Sequence, residues 1–306
     1  MDGKKSLGYR IFRTLLLPLQ RLPLGFHYFW GRVFAWVAKN ILHYRSDVVL
    51  VNLSRSFPEL KYGDIKKLYD GFYTHLGEVF AETCWFGGCS GRPGRLRRQG
   101  LCTARGEEEL IGAFKNRPSV MILSSHYGNW EITGGIYDYF SGTAVCPEGM
   151  DPDHTNVVYK RLTSRFWNEF LTNNRTAPLV DYRGSVESKE VLRFALEHKN
   201  EKRIYIFPTD QFPYRGATRT AIPGFMSQPT MVMTGGATLA HKFGMAVFYM
   251  AIDKVEKGRY HMVFRKICDD ASQMDTTRIM TEYYALLEES VRSHPENYLW
   301  SHKRWK

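Results

Sequence analysis

Directly after the apolar run Ser119–Ser125 stands the string His126-Tyr127-Gly128-Asn129-Trp130-Glu131. An imidazole takes up a proton near neutral pH. A carboxylate beside it fixes its tautomer and stabilises the imidazolium, which makes a general base. His126 and Glu131 are five residues apart, a spacing that on one continuous helix would set them about 140° apart. They converge only across a turn, and Gly128 has the backbone freedom for one. Asn129 is then a candidate N-cap for a helix running to Phe140, with Glu131 in its first turn. The positive end of that helix suits phosphate or a developing oxyanion. Ten histidines make chance His/Glu pairs common, so the alternative is a buried structural histidine; the complete string after an apolar strand is the stronger signal.

A second candidate pair, Asp210-Gln211, follows the apolar run Lys202–Pro208 (KRIYIFP). Asp210 is expected on the same side of the sheet as His126, with a turn cap as the alternative. Arg215 and Arg219 follow closely, as phosphate contacts or as solvent-exposed charges. No Gly-x-Ser-x-Gly is present, which argues against a serine-hydrolase route. Cys84, Cys89, Cys102, Cys146 and Cys268 contain no Cys-x-x-Cys pair, so neither zinc nor dithiol chemistry is supported. Thiols in a reducing setting are the reading, and no metal or cofactor is expected.

Such residues need elements to hold them. From residue 119 short apolar runs alternate with helical segments. Strands are expected at Ser119–Ser125, Thr143–Cys146, Ala177–Asp181, Lys202–Pro208, Met245–Ile252 and Arg259–Cys268. Helices are expected at His154–Asn173, Ser188–His198, Pro229–Phe243 and Asp275–Ser293. This alternation predicts an α/β layered sheet whose ligands sit outside the carboxyl ends of the strands. Residues 47–85 read as amphipathic helix, with Leu68, Phe72, His75, Leu76, Val79 and Phe80 at helical spacing and Asp64 as a cap. His75 and His241 read as packing residues. Arg92, Arg95, Arg97 and Arg98 read as a solvated face.

The 306-residue chain has 42 Lys+Arg against 31 Asp+Glu, a net +11, with 43% hydrophobic residues. That composition excludes a disordered or collagen-like chain and suits an anionic partner. Residues 1–50 hold eight Lys/Arg against only Asp2 and Asp47, among many large apolar side chains. Cationic and apolar together predict contact with a membrane surface. No uninterrupted signal-peptide core is visible, and the run Leu22–Gly31 is far below the roughly 20 residues of a span. Phe26, Trp30, Val33, Val37 and Ile41 recur at helical spacing, while Arg32 and Lys39 share a face as snorkelling cations would. A helix packed on the protein's own core, or a tilted span, are the alternatives.

HYGNWE resembles the H-x4-[D/E] motif of the bacterial lipid A biosynthesis acyltransferases, the late lauroyl/myristoyl transferases of the glycerolipid acyltransferase superfamily. The resemblance covers nearly the whole chain. Asn52-Leu-Ser-Arg-Ser-Phe-Pro-Glu59 is similar to the family's N-L-x-x-x-F-P-E block, and Tyr159-Lys-Arg-Leu162 with Asn168 and Arg175 to its Y-R-x-L…R segment. Pro208-Thr-Asp210-Gln211 resembles its P-D-Q block, and Tyr298–Trp305 its W-x-H-x-R-W ending. Departures are Thr209 inserted before Asp210, the stretch Ile222–Pro229 without the usual F-F-G run, and a longer segment from Glu148 to Asn156. They bear on substrate and chain length and leave the reaction class intact.

The resemblance implies a mixed central sheet flanked by helices, with a helical membrane-associating N-terminal region. It also implies transfer of an acyl group from a thioester, on acyl carrier protein or coenzyme A, to a hydroxyl of a lipid A precursor. His126 would take the hydroxyl proton and Glu131 would orient His126. Backbone amides at the Asn129 helix start would face the oxyanion. Asn129, Arg175, Asp210 and Gln211 would meet substrate. Arg175 would grip an anionic headgroup or the phosphopantetheine arm, with a plain salt bridge as the alternative. Trp300, His302 and Trp305 are assigned structure, and Met226, Met231 and Met233 either an acyl-chain contact or core filling. Residues 1–46 are expected to associate with the inner membrane. Residues 47–306 form the acyltransferase domain, helical over 47–118 and α/β over 119–306, facing the cytoplasm. Rival readings are the same chemistry on another membrane lipid, and a non-catalytic membrane-binding protein. Nucleic-acid binding finds no motif.

Overall fold

In the computed structural model the described residues are 7–92, 94–136, 139, 151–179, 182 and 184–306, with side chains from residue 11 onward. Four helices lead the chain: α1 (Leu7–Gln20), α2 (Leu24–Asn40), α3 (Ser46–Ser56) and α4 (Tyr62–Gly87). The short α5 (Arg95–Gln99), β1 (Cys102–Arg105) and α6 (Glu107–Asn116) follow, then β2 (Val120–Ser124). After β3 (Thr155–Tyr159) come α7 (Arg165–Arg175), β4 (Ser185–Glu187), α8 (Val191–Glu197) and β5 (Ile204–Pro208). A hairpin of β6 (Arg219–Phe225) and β7 (Gln228–Met233) precedes α9 (Gly235–Phe243). The chain closes with β8 (Ala246–Glu256), β9 (Arg259–Cys268) and α10 (Thr276–Ser293), the last capped by Asp275.

Among the described residues, seven strands form one mixed sheet in the order β1-β9-β8-β2-β5-β3-β4. β8, β2, β5, β3 and β4 run parallel, while β9 and β1 run the other way. The central β2 is buried at every position, as a strand covered on both faces must be. Its alternate residues enter two cores. Met121 and Leu123 pack with α9, α10 and the first half of α4, whereas Val120 and Ile122 pack with α6 and the end of α4. α4 therefore reaches both cores, with Phe72 and Tyr73 in one and Trp85 and Phe86 in the other. At 26 residues it is about 39 Å long.

The expected α/β architecture is present, with several local corrections. Residues Thr155–Tyr159, expected as the start of a helix, form β3; the helix starts only after Ser164, whose hydroxyl accepts from the Trp167 amide. Residues Pro229–Met233, expected as helix, are strand β7, where buried Thr230 and Val232 alternate with exposed Pro229 and Met231. Of the strand expected at Ala177–Asp181, Ala177–Leu179 make a turn and residues 180–181 lie outside the described residues, as does Thr143–Cys146. β1 joins the sheet well before the expected boundary at residue 119. α4 begins at Tyr62, so Asp64 lies in its first turn and does not cap it.

No described helix is long and apolar enough to cross a membrane. α2 has an inverted distribution of side-chain size. Its small residues Gly31, Ala35 and Ala38 are buried, and Gly31 and Gly77 of α4 approach so closely that a Cβ on either would strike the other's carbonyl oxygen. Of the predicted apolar stripe, Phe26, Trp30, Val33 and Ile41 are exposed and Val37 is half-buried; Trp36, outside that stripe, is 59% exposed. α1 adds Ile11, Leu15 and Leu19. Arg32 is exposed, but Lys39 pairs with Asp70 of α4 at 2.7 Å. Of the basic run, Arg95 stacks 4.4 Å over Trp85 and donates to the carbonyls of Gln20, Arg21 and Leu22 at the end of α1; its neighbours Arg97 and Arg98 are exposed.

Candidate active site

The site lies past the carboxyl ends of β2 and β5. These parallel strands pair with Ser124 beside Pro208, so residues two further along, His126 and Asp210, stand level with each other. His126 Nδ1 is 2.8 Å from Asp210 Oδ1, and the His126 amide donates to Asp210 Oδ2 at 3.1 Å. Gln211 Nε2 lies 3.3 Å from His126 Nε2. An amide nitrogen only donates, so these partners assign the neutral tautomer with its proton on Nδ1 and a lone pair on Nε2. His126 is partly exposed and Asp210 is 2% exposed. Burial works against the Asp210 charge, yet the adjacent His126 outweighs it and holds the carboxyl below its usual range.

The carboxylate on His126 is thus Asp210, and this corrects the expectation that Glu131 orients the imidazole. Glu131 instead takes a bidentate hold on Arg175, at 2.6 Å to Nε and 2.7 Å to Nη2, with Trp130 Nε1 adding a bond at 2.9 Å. Burial alone would raise the Glu131 carboxyl, but Arg175 lowers it below the ordinary value. Arg175 is therefore in a salt bridge, the alternative given for it, although its side chain keeps 43% exposure.

Asn129 caps a six-residue 3-10 helix, Trp130–Gly135, by accepting from the Glu131 amide at 3.2 Å. The cap is as expected, and α-helical Ile136 and Tyr139 continue the element; residues 137, 138 and 140 of the expected helix lie outside the described residues. Asn129 is fully buried and its Nδ2 donates to Glu82 at 2.6 Å, so both ends of its amide are taken by protein. A direct substrate contact by this side chain is corrected to a positioning one. Several backbone amides of the loop are also engaged: His126 by Asp210, Gly128 by the Asn297 carbonyl, and Glu131 by Asn129. Gly128 makes the turn at φ +68, and a Cβ there would run into the carbonyl oxygen of Ile252.

Two residues of α4 hold this loop from beneath. His75 meets the Gly128 carbonyl at 3.0 Å and can do so only as donor from Nε2; burial depresses it to about 3, so it stays neutral. Glu82, fully buried, takes Asn129 on one side and Tyr28 of α2 on the other. Neither was expected to serve the site. A signal existed: Phe72, His75, Val79, Glu82 and Phe86 follow the helical period, which puts a carboxylate at a core position.

The tail frames the other flank. Gly128 donates to Asn297 O, and Leu299 donates to His126 O, pairing residues 297–299 with the loop like a short strand. Adjacent Tyr283 and Tyr284 of α10 reach the Ser124 carbonyl at the end of β2 and the Thr209 carbonyl after β5. The buried Arg304 donates to Tyr284 Oη and to Met231 O. His302 Nε2 accepts from the Phe212 amide, and Asn52 donates to the carbonyls of Trp300 and His302 at 2.8 Å each. Asn168 accepts from the Leu162 amide, folding the loop before α7. Met226 is fully buried in the core, while Met231 is exposed.

Segments far apart in sequence, at residues 52–57, 126–131, 208–212 and 298–305, therefore converge on one strand-end site. No curated protein matches the chain. A family model described as bacterial lipid A biosynthesis acyltransferase matches residues 9–306, a range that contains every one of these segments. The chain belongs to the bacterial lipid A biosynthesis acyltransferase family and is an acyltransferase.

Proposed function

We propose that the protein moves a fatty acyl chain from a thioester, carried by acyl carrier protein, to a hydroxyl of a lipid A precursor, with His126 as general base. The observation that carries this is the His126–Asp210 pair, which leaves a lone pair on His126 Nε2 at a partly exposed strand end. The acceptor hydroxyl gives its proton to Nε2 as its oxygen adds to the thioester carbonyl. Asp210 holds the tautomer and stabilises the imidazolium. Collapse of the tetrahedral intermediate expels the thiolate, which takes the proton back from Nε2. Arg175, fixed by Glu131 yet partly exposed, offers positive charge to a phosphate or to the developing oxyanion. Gln211 contacts Nε2 in the resting site and yields it to the hydroxyl.

The outward apolar stripe of α2 with Ile11, Leu15 and Leu19 of α1 supports attachment to the inner-membrane surface from the cytoplasmic side, where lipid acceptors present their headgroups. The net charge of +11 favours both an acidic carrier and anionic lipid. Mass spectrometry of lipid A from cells with and without the gene tests the acceptor. Loss of one acyl group from lipid A is expected; unchanged lipid A alongside a shortened acyl pattern on another glycolipid overturns the choice of acceptor.

A further inference from the structure

Glu82 is a buried carboxylate that the mechanism above does not use. It is 0% exposed, and its hydrogen bonds come from neutral donors: Tyr28 Oη at 2.5 Å and Asn129 Nδ2 at 2.6 Å, with Tyr260 alongside. A buried carboxylate supported only by neutral donors is costly to keep. The Asn129 amide beside it has one workable orientation. Nδ2 must face the carboxylate and Oδ1 must face the Glu131 amide; reversed, an oxygen would meet a carboxylate and an NH2 would meet an N–H. Glu131 in turn carries Arg175 on both of its oxygens. One chain of contacts therefore runs from α2 through Tyr28, Glu82, Asn129 and Glu131 to Arg175, and α2 is the helix that turns its large apolar residues outward.

We propose that Glu82 is a positioning residue for acyl transfer: by holding the Asn129 amide it fixes the backbone at Glu131, and with it the Glu131–Arg175 pair beside His126. This rests on reading the His126–Glu131 loop as catalytic. Glu82 touches no substrate, so its loss lowers kcat and leaves KM for the thioester unchanged. Misplacement of such a group by about 1 Å costs about 10²-fold in rate.

The test is an exchange of carboxylate and amide across the Glu82–Asn129 bond in the full-length enzyme. Acyl transfer to purified lipid acceptor is followed by thiol release, with thermal unfolding measured in parallel. Glu82→Gln keeps an oxygen that can accept from Asn129 and retains most activity. Asn129→Asp sets two carboxylates against each other, and at a pH above about 8, where Glu82 has lost its proton, kcat falls about 10²-fold. The double variant Glu82→Gln/Asn129→Asp restores donor-to-acceptor pairing and recovers at least about a tenth of wild-type kcat. Glu82→Leu, which offers no acceptor, loses kcat with KM unchanged. A folded Glu82→Leu with wild-type kcat overturns the proposal. So does an Asn129→Asp loss that Glu82→Gln fails to relieve, and this arm stands even where Glu82→Leu does not fold. His126→Ala runs in the same assay: wild-type turnover by that variant overturns the reading of the loop as catalytic, and the proposal with it.

Discussion

Two carboxylates flank the His126 loop, and their neighbours give them different work. Asp210 meets the imidazole at Nδ1, while Glu131 is committed to Arg175. Asp210→Asn keeps the shape but no longer stabilises an imidazolium. Its kcat is expected to fall about 10²- to 10⁴-fold with KM for the thioester little changed, as steady-state kinetics on purified enzyme will show. Glu131→Gln frees Arg175, and its kcat is expected to fall with KM for the thioester little changed. Gly128 admits no side chain, because its φ is +68 and Ile252 O closes the space. Gly128→Ala is expected to cost about 1–3 kcal/mol from the backbone alone, read from urea unfolding. His126, Glu131, Arg175, Asp210 and Gln211 were legible in sequence, but their pairing was not, and His75 and Glu82 beneath the loop were missed. Glu131 is near His126 along the chain, whereas Asp210 becomes its neighbour only through the β2–β5 register.

At the scale of elements, α2 presents opposite faces to two environments. Gly31 and Ala35 meet Gly77 and Ala81 of α4 at backbone distance, leaving Trp30, Val33 and Trp36 outside. Gly31→Leu overpacks this seam and is expected to lower stability by about 1–3 kcal/mol. The paired change Leu15→Glu and Trp36→Glu alters only exposed positions. It is expected to leave unfolding within about 0.5 kcal/mol of wild type and to reduce binding to anionic vesicles at least about tenfold; undiminished vesicle binding contradicts the membrane-facing assignment. The outward stripe was visible as a period in the sequence and its outward direction was expected, whereas the inward seam was not, because burial of Gly31, Ala35 and Ala38 depends on the matching small residues of α4. Strands β3 and β7 were misread for a related reason. Each is short and adjoins a helix whose periodicity runs over the boundary, and only pairing with β5 and β6 reveals the alternation.

Across the whole molecule, α4 ties both cores to the loop between them and buries two titratable groups of opposite sign. Burial pushes the Glu82 carboxyl up to about 7 and His75 down to about 3. A carboxyl raised on folding contributes stability fully present below its ordinary value near 4.5 and lost as pH rises through about 7. A histidine depressed on folding contributes above about 6.5, and that contribution is lost as pH falls towards 3. Urea unfolding of Glu82→Gln should therefore show a flatter decline than wild type between about pH 5 and about pH 8. His75→Gln should show a flatter acid decline below about pH 6. The measurement that bears most directly on the account is single-turnover acyl transfer by purified, folded His126→Ala at saturating thioester. The account predicts a loss of about 10²-fold or more with vesicle binding intact; turnover near wild type would contradict it.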